Sequence, residues 1–182
     1  PSAASHALAS VRRTSSIIAL GAFLVFVSQL FSLIVAPWAL ADETGRWPLA
    51  LFLSTRFARA GLVRAILALC MGVSALLTTR SSYSRISWVA CIVFGAMVLV
   101  SGAWLGHGAS RLEDSGVLMS VTVIHQLATV TWIGGTLHLI AQWCLLRNHH
   151  AKRTLWPELP ARFTPVALAS VGVLMGAGYF LS

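Results

Sequence analysis

Charge is what this sequence has least of. Only 10% of its 182 residues are Asp, Glu, Lys or Arg, against 57% hydrophobic. A soluble domain carries about 25% charged residues. So few charges cannot cover the surface of a water-soluble domain of this length, and an integral membrane protein is expected. Acids are scarcer still, five against 13 Lys and Arg, for a net charge of +8. In a membrane protein such an excess records loop orientation and attraction to anionic lipid. No Lys/Arg run is interleaved with aromatics, so no nucleic-acid partner is expected.

Cysteine is also sparse. Cys70, Cys91 and Cys144 all lie in apolar stretches, the number is odd and no Cys-x-x-Cys occurs. That argues against a disulfide framework and fits small buried hydrophobes. No phosphate loop, paired carboxylates or nucleophile beside a base is present, so no enzyme is expected. Without an internal repeat or low-complexity linker, residues 1–182 read as a single transmembrane helical domain.

What is there is a series of apolar runs punctuated by charge. They are Ile17–Ala41, Ala60–Thr79 (interrupted by Arg64), Ile86–Ser110, Ser115–Leu146 and Phe163–Ser182. About 20 helical residues cross the hydrocarbon, so the chain is expected to be all-α, a polytopic transmembrane bundle of about five spans. The fourth run should tilt or project past the bilayer. Arg12-Arg13, the first run and Ala39-Leu40-Ala41 resemble a signal peptide, but the run exceeds the usual length of about 7–15 residues and reads as a retained helix. The first residue is Pro1 rather than Met, and the last run has no polar tail, which reads as the edges of a longer chain.

Lys and Arg set orientation. With the N-terminus cytoplasmic, eight of them (Arg12, Arg13, Arg80, Arg85, Arg147, Lys152, Arg153, Arg162) lie inside and five (Arg46, Arg56, Arg59, Arg64, Arg111) outside. Asp42, Glu43, Glu113 and Asp114 also fall outside on this reading.

Ionisable groups within spans are costly and default to functional candidates. Here they are Arg64, His107, His125 and His138, with no carboxylate among them. That argues against a carboxylate proton relay and against an all-oxygen site for a hard cation. Imidazole with nearby sulfur suits copper better than magnesium or calcium. His107 sits between glycines in Trp104-Leu105-Gly106-His107-Gly108, where the third span reaches the outer surface. His125 lies about 15 Å into the fourth span from the same side, so the two could converge, with Met119 nearer the mouth. His138, 13 residues after His125, falls on nearly the opposite face and reads as an interhelical contact. His149 and His150 read as solvated in the basic inner loop. Trp132, mid-span beside Gly134-Gly135, suggests a tight crossing at Gly134 or a cavity wall.

These residues form an ordered set. Gly106-His107-Gly108-Ala109, His125-Gln126-Leu127-Ala128, Trp132-Ile133-Gly134-Gly135-Thr136-Leu137 and Arg162-Phe163-Thr164-Pro165-Val166-Ala167-Leu168 follow one another along the chain. With Thr55-Arg56-Phe57 and Arg64 before them, the set over about residues 55–182 resembles the copper resistance protein D family. Members are bacterial inner-membrane proteins with more spans, associated with copper uptake or resistance. Thr122 stands where the family often has an acid, and Gly108 where Ala follows the histidine directly. The resemblance implies a copper-binding or copper-transporting protein of the inner membrane, with His107 and His125 as ligands, Met119 as a weaker one, and copper bound from the periplasmic side. The bilayer and copper are the implied partners, with room for other membrane subunits or a periplasmic copper protein. Two other classes fit the residues: a b-haem electron carrier using intramembrane histidines, and an accessory subunit of a larger complex with a degenerate site.

Overall fold

The structure, a computed structural model, describes residues 3–45, 49–80, 85–105, 115–146 and 158–181. Among these residues it is helical throughout apart from single-residue bends at Gly45 and Thr55. In chain order the helices are α1 (Ala3–Thr44), α2 (Leu49–Ser54), α3 (Arg56–Arg80), α4 (Arg85–Leu105), α5 (Ser115–Leu146) and α6 (Glu158–Leu181). Five of them, all but α2, are long and apolar enough to cross a membrane, as the composition requires. Helix is the natural solution there, because each backbone N–H and C=O must find its partner within the segment.

The ends carry recognisable stops. At Gly45 the backbone turns left-handed (φ 65°) and its N–H donates to Ala41 O at 2.9 Å, closing α1 as a left-handed C-cap. Thr55 caps α3: its Oγ1 accepts from the Ala58 N–H at 3.1 Å. Thr55 also ties back to α2, donating from Oγ1 to Phe52 O at 2.6 Å. The Arg59 guanidinium donates to Ser54 O at 2.8 Å, and the Phe52 and Phe57 rings meet at 6.3 Å. The Thr55-Arg56-Phe57 motif thus builds a helix start, a structural role.

The chain divides into two compact units, Ser15–His107 and Pro1–Thr14 with Gly108–Ser182. In the first, α1 and α3 run antiparallel and close together. Ser15, Ala22 and Gln29, spaced by seven residues, are buried on α1. Facing them, Ala58, Gly61, Ala65, Ala68 and Ala75 are buried on α3, a stripe with alternating steps near the heptad period. A Cβ on Gly61 would lie 2.7 Å from Gln29 Nε2 and 3.0 Å from Leu33 Cδ2. A Cβ on Gly72 would lie 3.4 Å from that of Ala22. Small residues let backbones approach where lipid supplies no hydrophobic drive to association. At the far end Ser15 Oγ and Thr78 Oγ1, both fully buried, hydrogen-bond at 2.6 Å. Thr78 Oγ1 itself donates to Ala75 O at 2.6 Å, so Ser15 is the donor between the helices. α4 packs on α3 and buries Cys91, Ser101, Gly102 and Ala103.

In the second unit α5 packs on α6. α5 is rich in hydroxyls, and it folds them onto itself. Ser120, Thr122, Thr129, Thr131 and Thr136 each donate to the carbonyl four residues back, at 2.7–2.8 Å. α6 opens with Glu158 in its first turn, the sign favoured at a helix N-terminus. Glu158 pairs with Arg162 at 3.4 Å on an exposed surface, where such pairs contribute little.

Candidate metal centre

α5 carries two of the three ligand candidates. His125 is half-buried. Its Nδ1 is buried and has no hydrogen-bond partner among the described residues. Leaving a polar atom buried and unpaired costs about 1–3 kcal/mol, and native folds rarely leave one without a reason. The backbone at this point is regular, with Thr129 Oγ1 donating to His125 O at 2.8 Å. Met119 is half-buried on the same helix. Six residues of helix separate it from His125 by about 9 Å along the axis and about 120° around it. The backbone does not stack the two; only the long thioether arm shortens the gap.

His107, the third candidate, lies outside the described residues, as do the rest of Gly106–Ala109 and the His149-His150 pair. Among the described residues no three His, Cys, Asp or Glu side chains gather as a metal site.

His138 is exposed and sits 3.4 Å from Gln142 Nε2, which donates to Ser10 Oγ of α1 at 2.6 Å. The interhelical contact expected of His138 is thus made by Gln142 instead, with His138 beside it on the same helix. Arg64 is half-buried on α3 with its Nε buried and unpartnered among the described residues. A guanidinium offers no lone pair to a metal. One further contact was not singled out in the sequence. Cys91 Sγ lies 3.9 Å from Met71 O, across the α3–α4 interface.

The glycine pair beside Trp132 resolves into two different positions. A Cβ on Gly135 would overlap the Phe163 ring of α6, whereas Gly134 meets nothing within 4 Å. The tight crossing expected at Gly134 is therefore at Gly135, because the two residues point about 100° apart on the helix. Trp132 itself is 42% exposed. The Trp-x-Gly-Gly and Arg-Phe-Thr motifs thus meet each other: one supplies the gap and the other the ring that fills it.

A family model, copper resistance protein D-like, N-terminal domain, matches residues 2–118. The match covers α1 to α4 and the segment bearing His107, and it ends just before Met119. The copper transport protein CutJ of Bacillus subtilis (strain 168) is 30% identical over 91 residues, which is 50% of this chain and 16% of that protein. The chain therefore spans only a small part of the length of that curated relative. No solved structure matches it. The domain match covers well over half of the residues. The chain belongs to the copper resistance protein D-like N-terminal domain family.

Proposed function

We propose that this protein binds copper at an imidazole site and passes it across the bacterial inner membrane, taking the ion from the periplasmic side. His107 and His125 are the ligands in this reading, and Met119 is a weaker third donor. The N-terminus is cytoplasmic. Copper is cargo, held by exchangeable coordination, and the bilayer is the protein's immediate environment. A periplasmic copper protein or further membrane subunits would be the partners at the mouth.

The observation that carries the reading is the orphaned Nδ1 of His125 in a family concerned with copper. A metal ion is a partner that satisfies such an atom, and neutral imidazole is a ligand suited to copper. Soft Met119 on the same helix adds a donor of the right class. The lack of carboxylates from the spans keeps hard cations from competing. Met and His together favour a site that can release its ion.

The test is copper retained per chain by the purified protein in lipid. His107→Ala and His125→Ala are compared with a control in which His149 and His150 are both changed to Ala. A site built from donors on two segments loses most of its affinity when either imidazole goes, so copper should fall in the first two variants and persist in the control. Equal retention by all variants, or no copper on the parent chain, overturns the proposal.

A further inference from the structure

The α1–α3 pair leaves an apolar slot of about 120 Å3 at mid-span. Its floor is the close approach of the two helices, where a Cβ on Gly72 would lie 3.4 Å from that of Ala22. Phe23 and Phe26 of α1 and Leu69 and Val73 of α3 stand at its sides. Phe23, Leu69 and Val73 are each about half exposed, so the slot opens sideways onto the bilayer. An approaching helix, about 10–12 Å across with its side chains, is too wide to enter it. A single acyl chain is not.

The slot has a charged head. Val73, Ile66 and Arg59 are spaced by seven residues, as are the buried Ser15, Ala22 and Gln29 on α1. Where two helices meet on that period, residues seven apart keep to one side of the seam. Arg59 therefore heads the column that ends in the slot. Thirteen residues of helix put it about 20 Å from the level of Gly72. Half a bilayer with its headgroups is about 20–22 Å thick, so a guanidinium at phosphate level puts the slot near the bilayer middle. That is the depth an acyl chain from the same phosphate reaches. Arg59 is exposed and donates to Ser54 O, which holds the guanidinium while leaving it further N–H donors. Arg56, also exposed, lies one turn earlier, at a spacing that lets both side chains reach one anion. Among the described residues the ion pair is Arg162–Glu158, and no carboxylate pairs with Arg56 or Arg59.

We infer that Arg56, Arg59 and the α1–α3 slot bind one anionic phospholipid, with its phosphate on the arginines and one acyl chain in the slot. Guanidinium matches phosphate through paired, charge-assisted hydrogen bonds. The apolar slot gains the chain's methylenes. The site is independent of the copper reading.

The test takes the whole chain from nanodiscs of phosphatidylglycerol and phosphatidylcholine in equal parts. Native mass spectrometry counts the lipid kept per chain. The parent should keep one phosphatidylglycerol in preference to phosphatidylcholine. Arg56→Gln with Arg59→Gln should lower that preference about thirtyfold, on the order of fivefold for each arginine. Arg12→Gln with Arg13→Gln removes the same charge from exposed positions outside the site and should leave it unchanged. Ala19 also lines the slot, and Ala19→Leu should fill it and release the lipid. Val73→Phe does the same from a half-exposed position, so the measurement survives if Ala19→Leu fails to fold. Equal loss in the two arginine pairs, or no loss in the first, overturns the inference. Full retention in both slot variants leaves a headgroup contact alone and overturns it too. A parent chain that leaves the bilayer as a lipid-free dimer gives the slot to a second copy, which is a third refutation.

Discussion

Replacing Gly135 by Ala should cost stability that the same change at Gly134 does not. The added Cβ at Gly135 runs into the Phe163 ring, and at Gly134 it meets open space. Both substitutions gain the same helix propensity, about 0.8–1.0 kcal/mol for Gly to Ala, so the difference between them isolates the clash. Overpacking of one methyl against a ring costs about 1–3 kcal/mol. For a chain of this size each kcal/mol moves the melting temperature by about 2–4 °C, so the variants should separate by about 2–12 °C. The assay is thermal unfolding in nanodiscs, read by tryptophan fluorescence. Phe163→Ala combined with Gly135→Ala should recover most of the gap, since the two positions touch and their effects are coupled. Equal melting temperatures for the two single variants would refute the close approach of α5 and α6 at this point.

Ser15→Ala removes the only donor in the buried Ser15–Thr78 bond. Interhelical hydrogen bonds in membranes average about 0.6 kcal/mol and reach about 1.7, so a loss in that range is expected in chemical unfolding. No loss would mean that the stripe of small residues, and not the bond, holds α1 to α3. Gly61→Leu should cost more than Gly72→Ala, because Gln29 Nε2 and Leu33 Cδ2 crowd the first position; circular dichroism melts compare them. A cysteine at Ser81, in a chain whose native cysteines are replaced, should resist an impermeant thiol reagent in intact cells. Ready labelling there would reverse the proposed topology.

Much of the architecture was legible before any coordinates. Asp114 and Arg147 bracket α5, which runs over the same Ser115–Leu146 read from the charges, since a charged side chain does not enter hydrocarbon cheaply. The start of α1 was not legible in this way. Arg12 and Arg13 look like the edge of the span, yet the helix begins at Ala3, because a helix projecting into water needs no apolar sequence. The α1–α3 stripe also escaped notice. Ala58, Ala65 and Ala68 are ordinary in any membrane helix, and only pairing with Ser15, Ala22 and Gln29 gives them meaning. Gly134 and Gly135 are equivalent as letters, and the direction each faces is set by the neighbour that α5 chooses. His125 was legible because imidazole within a span is rare. Its unpaired Nδ1 was not, since that depends on what surrounds the ring. The contact of Cys91 Sγ with Met71 O was not legible either, since it depends on how α4 packs on α3.

The hydroxyls that α5 closes on its own backbone give that helix a surface with two readings. With Ser120, Thr122, Thr129, Thr131 and Thr136 each donating to the carbonyl four residues back, an acyl chain alongside meets none of their hydroxyl protons. Threonine in a helix has a second side-chain rotamer of comparable standing, and a single torsion turns the hydroxyl away from its carbonyl. Thr122, Thr129 and Thr136, which share one side of the helix, then offer donors to whatever polar group lies against them. Apolar toward solvent tails and polar toward protein, α5 changes its chemistry by rotation about single bonds, with no movement of its axis.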